Sequence, residues 1–228
     1  FSKSREIDGI IKTVTIKRDL LGDLYVYFSC VVELPPIERV MTGKSAGFDF
    51  GLTTYLTGSD GREDHAPQPL KHSLKALVKA NRELSKKQKG SHNRQKARQR
   101  LASIHKRIAN QRYAFHWELA HKLCADYDFI ALETLKLQGM RALWGRKVSD
   151  LGFATFVDVL HQVAAKTGTI VHHINQWFPS TKMCSTCGHI NQQITLRDRT
   201  WTCTDCATTH QRDINAAVNI FREGASSH

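Results

Sequence analysis

A carboxylate stands inside the apolar, β-rich run Ser45-Ala46-Gly47-Phe48-Asp49-Phe50-Gly51-Leu52. A charge at Asp49, between two phenylalanines of a predicted strand, is costly to bury unless a partner neutralises it. The run continues to Thr57 and a turn at Ser59-Asp60-Gly61, which predicts two strands joined through glycine and a third, short strand near 62–65. This part of the chain is therefore predicted to form a sheet with an acid in its interior.

Two further acids stand at the ends of predicted elements farther along the chain. Glu133 closes the apolar run Asp128-Phe129-Ile130-Ala131-Leu132, which is typical of a buried strand in a parallel sheet. Asp213 begins a helix predicted over 213–221. Taken singly, Glu133 is explained as a solvated strand end, and Asp213 as an acid that the helix macrodipole favours.

Taken together, the three acids predict a site for divalent metal. Two strands and a late helix can bring their carboxylates close, and like charges at close range are unfavourable without cations between them. Two Mg²⁺ ions about 3.5–4 Å apart would remove that repulsion and hold a phosphodiester. Asp49, Glu133 and Asp213 are therefore candidate catalytic residues and Mg²⁺ ligands, with Mn²⁺ as an alternative ion.

Four of the six cysteines form two CxxC pairs with fifteen residues between the pairs. The first residues of the sequence do not resemble a secretion signal, and in a chain that is not secreted such pairs indicate metal more often than disulfides. Four thiolates close a tetrahedral shell around zinc and leave no position for water, so this zinc is predicted to be structural. Cysteines that bind metal must stay reduced, and the compartment that keeps thiols reduced is the cytoplasm. A cytoplasmic location is therefore predicted. The four predicted zinc ligands are Cys184, Cys187, Cys203 and Cys206.

The cysteines and histidines outside this set have simpler interpretations. Cys30 and Cys124 lie in apolar stretches and are predicted to be ordinary buried thiols. His189 and His210 flank the CxxC pairs and are expected to be surface groups rather than ligands.

Positive charge is concentrated in one segment. The chain has 33 Lys+Arg against 21 Asp+Glu, and this formal net charge of +12 favours a polyanionic partner, nucleic acid before an anionic membrane. Residues 71–112 contain eight Lys and six Arg but only one acid, Glu83. Apolar residues recur there every three, four or seven positions, which predicts helices with one buried stripe and a basic face. The candidate phosphate contacts are Lys86, Lys87, Arg94, Arg98 and Arg100.

The remaining segments alternate between strand and helix patterns. Residues 9–18 and 23–34 are predicted to form a β-hairpin, 134–150 an irregular basic loop, 151–167 a helix and 169–174 a strand. Asn93 is the candidate cap of the second basic helix. No apolar run approaches the roughly 18 residues of a membrane span, so no membrane partner is expected.

Four segments carry a resemblance to a known family. Gly47 to Leu52, Leu132-Glu133-Thr134-Leu135 with Gly139-Met140, and His210-Gln211-Arg212-Asp213-Ile214-Asn215-Ala216-Ala217 resemble the three split RuvC motifs of the TnpB (OrfB) family. Trp177-Phe178-Pro179-Ser180-Thr181-Lys182-Met183-Cys184 is similar to the family's entry to its zinc ribbon. The order of acid, basic helices, acid, cysteines and acid matches the family over roughly residues 9–222.

The resemblance implies an α/β fold, with a RuvC (RNase H-like) nuclease core, an inserted zinc ribbon and a preceding β-hairpin. The hairpin would be the remnant of an N-terminal β-barrel that, with a helical recognition region, reads the target-adjacent motif. The chain would then be the nuclease half or a truncated copy. The family usually has Asp or Asn in place of Gln211, and Gly in place of Ala207. The implied domains are 1–42 (end of the β domain), 43–180 (core, with the basic helical insertion 70–125), 181–209 (zinc ribbon) and 210–228 (final helix and tail).

The implied function is that of a transposon-associated, RNA-guided DNA endonuclease with a two-metal mechanism. One Mg²⁺ held by the three acids would activate the attacking water, and the other would stabilise the leaving 3′ oxygen. A guide RNA derived from the element end and a target DNA would be the partners, and the base pairing between them would select the sequence. Arg212, beside Asp213, is a further candidate contact to nucleic acid. The alternatives are a non-catalytic RNA-guided repressor and a guide-independent RuvC-like nuclease.

Overall fold

The computed structural model describes residues 6–33, 39–195 and 197–227. They divide into two compact units, one made of residues 6–33 and 72–109 and the other of residues 39–71 and 110–227. Helices α1 (Pro69–Ser85) and α2 (His92–Asp126) contribute residues to both units. None of the helices in the described part of the chain is long and apolar enough to span a bilayer.

The first unit contains the predicted β-hairpin, which is confirmed. Strands β1 (Ile10–Arg18) and β2 (Leu24–Val31) are antiparallel, with a register shift between Ile11 and Thr13. The Asp19 carboxylate accepts hydrogen bonds at 2.9 Å from the Leu21 and Asp23 amides and so fixes the turn. The last residue of the predicted second strand, Leu34, lies outside the described residues.

One basic residue, Arg94, joins the helical parts of this unit. The Arg94 guanidinium donates to the carbonyl oxygens of Leu84 and Lys87, at 3.0 and 2.9 Å, and thereby satisfies the carbonyl end of α1. The Ser91 hydroxyl accepts from the Arg94 amide at 3.2 Å. Ser91 precedes the first residue of α2 and is its cap, so the assignment of Asn93 to that role is wrong.

The second unit is built on a five-stranded mixed sheet in the order β5-β4-β3-β6-β7. The strands are β3 (Ser45–Phe50), β4 (Leu56–Gly58), β5 (Glu63–Asp64), β6 (Phe129–Glu133) and β7 (Ile170–Ile174). Strands β3, β6 and β7 are parallel, whereas β4 and β5 are antiparallel to their neighbours. The mixed α/β class predicted from the sequence is therefore confirmed.

The main core lies on one face of this sheet. Aromatic side chains from strand β3 and helix α4 (Phe153–Thr167) meet edge to face, and the ring centroids of Phe50 and Phe153 are 5.1 Å apart. The second half of α2 adds Leu119 and Leu123, both buried. Cys124 is also buried, as predicted, whereas Cys30 in the hairpin is only half-buried.

Helix α5 (Arg212–Ser226) covers part of the opposite face. It approaches β3 so closely that a Cβ at Gly47 would collide with the backbone of Ala217 and Phe221. In the same way, a Cβ at Gly224 would meet the side chain of Ala131 on β6. These two glycines let α5 lie directly on the central strands.

The loop predicted over 134–150 is wrong, because most of it forms helix α3 (Leu137–Leu151). Trp144, just before Gly145, has non-helical dihedrals (φ −133°, ψ 33°), so the helix is interrupted where the sequence favours a break. The Asp150 carboxylate, near the end of α3, accepts from the Leu70 and Lys71 amides at 2.9 and 3.0 Å. It thus caps the start of α1.

The CxxC pairs lie in a small module, called here the cysteine module (residues 181–211). Its strands β8 (Thr200–Thr202) and β9 (Thr209–Gln211) are antiparallel, and Met183 forms an isolated bridge with Ile190. Among the described residues of the module, four buried hydrophobic residues form its core, namely Cys184, Ile194, Trp201 and Cys203. So small a core provides little hydrophobic stabilisation, which is the usual reason for a structural metal.

Candidate catalytic acids and cysteine cluster

The register of the sheet places Asp49 and Glu133 side by side. Phe48 pairs with Leu132 across the parallel strands β3 and β6, and the two acids are the next residues of their strands. Residues two apart on a strand share a face, so Asp49 faces the same side as Gly47, where α5 lies. Both carboxylates therefore stand at the carboxyl end of the sheet on the face that α5 covers.

Helix α5 brings the third acid to the same place. Ala217 of α5 lies against Gly47 of β3. The negative charge of Asp213, in the first turn of α5, acts on the Asp49 carboxyl, so the start of α5 lies near the end of β3.

The charges of the three acids act on one another. Asp49 is only 9% exposed, and burial raises the pKa of its carboxyl well above the usual value. The negative charges of Glu133 and Asp213 raise this pKa further, and the positive charge of Arg212 opposes them. Burial also raises the pKa of Glu133, to about 7, against the effect of a 3.4 Å hydrogen bond from the Phe50 amide. Such acids are poised to bind a cation, which would stabilise their ionised forms.

The three carboxylates are nevertheless not drawn into a tight ligand set. Among the described residues, the only group of three or more ligand atoms lying within 4.8 Å of one another is that of the four cysteines. Asp213 instead forms ion pairs with Arg212, at 2.8 Å, and with Arg199, at 3.1 Å. Both of its carboxylate oxygens are thus occupied by guanidinium groups.

The four cysteine sulfur atoms meet as their spacing predicts. All four lie within 4.8 Å of one another, with 3.7 Å between the Sγ atoms of Cys184 and Cys206 and 3.6 Å between those of Cys187 and Cys203. This cluster is compatible with a structural zinc.

The two knuckles have the same backbone geometry. The Gly188 amide donates to the Cys184 carbonyl at 2.9 Å, and the Ala207 amide donates to the Cys203 carbonyl at 3.0 Å. Both residues have positive φ, 79° at Gly188 and 57° at Ala207. Ala207 thus adopts the left-handed conformation that normally favours glycine, where the family usually has one.

His210 is not the surface group that was expected. It is buried on β9, its Nε2 atom lies 3.0 Å from the Cys184 Sγ, and its ring centroid lies 4.9 Å from that of Trp201. Residues Thr209, His210 and Gln211 are exposed, buried and exposed in turn, but all three are polar, so the sequence has no hydrophobic alternation that could have placed His210 inside. His189 is exposed, as expected.

Two buried asparagines on α5 attach the cysteine module to the helix that begins near Asp213. The Asn215 side chain donates to the Met183 carbonyl at 2.7 Å and accepts from the Ser185 amide at 2.9 Å. The Asn219 side chain donates to the carbonyls of Met183 and Ser180, at 2.7 and 2.9 Å. Sequence reasoning assigned neither asparagine a role, although their spacing of four residues on a helix is a usable signal.

The predicted phosphate contacts differ in how they are placed. The residues Lys86, Lys87 and Arg98 are exposed. Arg94 is half-buried and caps α1, and Arg100 lies 3.4 Å from Glu83. Arg212 is engaged with Asp213, as described above.

Comparisons with known proteins give matches along most of the chain. The OrfB_IS605 family model, described as "Probable transposase", matches residues 29–143, half of the chain. The model described as "Cas12f1-like, TNB domain" matches residues 153–220. A "Putative RNA-guided DNA endonuclease" of Streptomyces pristinaespiralis is 34% identical over 94% of this chain and 53% of its own length. The "TnpB-like protein L79" of Acanthamoeba polyphaga mimivirus is 29% identical over 97% of this chain and 45% of its own length.

A solved structure shares the fold. The cryo-EM structure of a Cas12f1-sgRNA-target DNA complex contains a chain that matches 91% of this one with a TM-score of 0.57, at 16% identity and over 55% of its own length. The chain spans about half the length of the curated relatives it matches. With a family model matching half of the chain and the motif order found in its sequence, the chain belongs to the TnpB family.

Proposed function

We propose that this chain is the nuclease portion of an RNA-guided DNA endonuclease, with a RuvC (RNase H-like) core and an inserted zinc ribbon. The observation that carries the proposal is the position of buried Asp49 and half-buried Glu133 side by side at the carboxyl end of the sheet, with Asp213 close enough for its charge to act on the Asp49 carboxyl. The relatives named "Putative RNA-guided DNA endonuclease" and "TnpB-like protein L79" support the same class of activity. In this proposal the four cysteines hold zinc in the ribbon.

The three acids would hold divalent metal, Mg²⁺ by preference. When bound, such metal supplies an activated water and stabilises the leaving 3′ oxygen of a phosphodiester. Asp49 is buried, Glu133 is half-buried, and both stand on neighbouring strands that hold their carboxylates in place. Asp213 is the adjustable member, because it must exchange guanidinium contacts with Arg199 and Arg212 for a cation.

The guanidinium groups released from Asp213 would remain beside the site. Arg212 is largely buried and Arg199 is largely exposed, so Arg199 is the freer of the two to reach a phosphate. Lys86, Lys87 and Arg98 would contact phosphates of the guide RNA or the target DNA, and such contacts carry no sequence information. The choice of target would then rest on base pairing with the guide.

The test uses the guide-loaded protein and Asp49→Asn, which keeps the side-chain volume and removes the charge. We expect Mg²⁺-dependent cleavage of target DNA to be lost while the affinity for that DNA is kept. Asp8→Asn, at an exposed acid just before the hairpin, is the matched control and should cleave like the wild type. Cleavage by Asp49→Asn at the wild-type rate would contradict the proposal. Target binding without cleavage by the wild type would instead support the RNA-guided repressor, and cleavage without guide RNA the guide-independent nuclease.

A further inference from the structure

One tryptophan is displayed at the same end of the sheet as the candidate acids. Trp177 is 71% exposed, whereas Trp201 is 8% exposed. The other two tryptophans, Trp117 and Trp144, are partly buried against the main core. Trp177 lies three residues beyond Ile174, the last residue of β7, and Ile174 is the register partner of Glu133 on β6. The exposed ring therefore stands close to where a strand held by the acids would pass.

The backbone on both sides of Trp177 is fixed. The Thr134 hydroxyl donates to the Ile174 carbonyl at 2.8 Å and ties the ends of β6 and β7 together. The Asn175 side chain accepts from the Trp177 amide at 2.9 Å. The next residue, Phe178, packs against the small core formed by Ala131, Ile174 and Ile220. The ring is thus held outward by an anchored segment, which lowers the entropy lost when it binds something.

A cation accompanies the ring. The Lys136 Nζ lies 5.1 Å from the centroid of Trp177, and Lys136 comes three residues after Glu133. The neighbours Asn175 and Gln176 are exposed and polar, so the ring is not the centre of an apolar patch of the kind that docks proteins. A flat aromatic face beside a positive charge is the combination that binds an unpaired nucleotide, with the base on the ring and the phosphate near the cation.

We infer that Trp177 stacks on a base of the single-stranded DNA substrate next to the strand held at Asp49, Glu133 and Asp213, with Lys136 beside the adjacent phosphate. The inference rests on the proposed nuclease function. A base inside a duplex has both faces covered by its neighbours, so the ring selects a strand that is already unpaired. Trp177 is in this sense a positioning residue for substrate.

The test measures binding rather than cleavage. In the guide-loaded Asp49→Asn protein, the affinity for a short fluorescent single-stranded DNA without complementarity to the guide is compared among three further variants. Trp177→Ala and Trp177→Leu should weaken binding by about 5- to 150-fold, because leucine keeps apolar bulk but has no stacking face. Trp177→Phe should keep most of the affinity. Equal affinities for all the proteins, or an equal loss in all three variants, would overturn the inference.

Two further arms identify the strand and the base. Removing single bases from the DNA should reveal one position with a distinct response. There the loss of the base should weaken binding by the protein that keeps Trp177 and have no effect on binding by the Trp177→Ala variant. The affinity for guide RNA alone should be unchanged in Trp177→Ala, and a loss there would assign the ring to the guide and overturn the inference. Because binding is measured with Asp49 already replaced, a failure of the nuclease proposal appears as cleavage by Asp49→Asn. A failure of stacking appears as binding that does not depend on residue 177.

Discussion

Arg199, in the cysteine module, places a guanidinium nitrogen 3.1 Å from a carboxylate oxygen of Asp213, at the start of α5. The module therefore touches the third candidate acid directly. The Arg199 side chain is 59% exposed and that of Asp213 is 26% exposed, so the pair is a weak one, worth up to about 1 kcal/mol. A contact of that strength can be exchanged for a metal ion without disturbing the fold.

Replacement of Arg199 by Ala should strengthen Mg²⁺ binding. The change frees one oxygen of Asp213 and removes a positive charge next to the site, so we expect the Kd for Mg²⁺ to fall by up to about fivefold. Isothermal titration calorimetry measures this directly. Arg197→Ala, an exposed arginine two residues away, is the control and should leave the Kd unchanged. A Kd that is unchanged or higher in Arg199→Ala would show that the guanidinium does not compete with metal.

Replacement of Asp49 by Ala should not destabilise the protein when metal is absent. Its carboxylate is buried near two other acids, so its removal in EDTA should leave the melting temperature unchanged or higher. Mg²⁺ should raise the melting temperature of the wild type and do less for the variant, because ligand binding stabilises only the folded state that holds it. Thermal melts in EDTA and in Mg²⁺ provide the comparison. If Asp49 were the partner of a buried Lys or Arg, the variant would lose about 3–5 kcal/mol in EDTA.

One zinc per chain is expected, bound by the four cysteines. Cys203→Ser should abolish stoichiometric zinc in elemental analysis, whereas Cys30→Ser, in the hairpin, should retain it. Because structural zinc is worth on the order of 10–16 kcal/mol in small modules, removing it with a chelator should unfold the cysteine module, which hydrogen exchange of residues 181–211 would reveal. Full zinc content in Cys203→Ser would contradict the assignment.

The basic segment should make nucleic-acid binding steeply salt-dependent. Replacing Lys86, Lys87 and Arg98 by Gln should flatten the log–log salt slope by up to about 2, at roughly 0.7 per phosphate contact on single strands. Arg94 is left in place because it caps α1 and its loss would disturb the helix. The same number of Gln replacements at exposed lysines elsewhere serves as the charge-matched control, at Lys12, Lys147 and Lys166. Equal slopes for the two triple variants would place the contacts outside this segment.

His116 should make the folded state sensitive to acid. Burial lowers the pKa of its imidazole below 6.5, the Leu151 carbonyl opposes that effect, and the charge of Arg112 adds to it. The unfolded chain then binds a proton more readily than the folded one, so the stability that neutral His116 contributes is complete above about pH 6.5 and is lost as the pH falls below that value. His116→Gln should make the free energy of unfolding vary less with pH in that range, and His105→Gln, at an exposed position, should not. An unchanged pH dependence in His116→Gln would contradict this expectation.

Local patterns were sufficient for many elements of the fold. The apolar run ending at Glu133 predicted a buried parallel strand, and β6 lies between two parallel neighbours. Helix α3 could not be predicted in the same way, because Gly139 and Gly145 lower the helix propensity of 134–150. Contacts with the surrounding structure override this weak local preference against helix. The preference persists at Trp144, where the helix is interrupted.

The residues of the candidate site also differ in whether the local sequence was enough to predict them. The three acids and four cysteines were predicted because unusual residue types stand at informative positions in the sequence, and the clustering of the four cysteines is the part that the structure bears out. Arg199 was missed because its partner is brought to it only by the fold, whereas Asn215 and Asn219 were missed although their spacing of four residues on a predicted helix was a usable signal. The domain boundaries and the cytoplasmic location remain predictions.

Helix α5 faces the sheet with one side and binds the cysteine module with another. The angle between these two sides is set by the spacing of the residues along the helix. Asp213 and Ala217 share the side that faces the sheet, whereas Asn215 and Asn219 bind the loop of the first CxxC pair. Each added residue turns a helix by about 100°. A single-residue insertion between Asp213 and Asn215 would therefore leave either the acid or the asparagines out of position. The number of residues between Asp213 and Asn215 is therefore constrained. Insertions and deletions are tolerated on either side of this spacing but not within it.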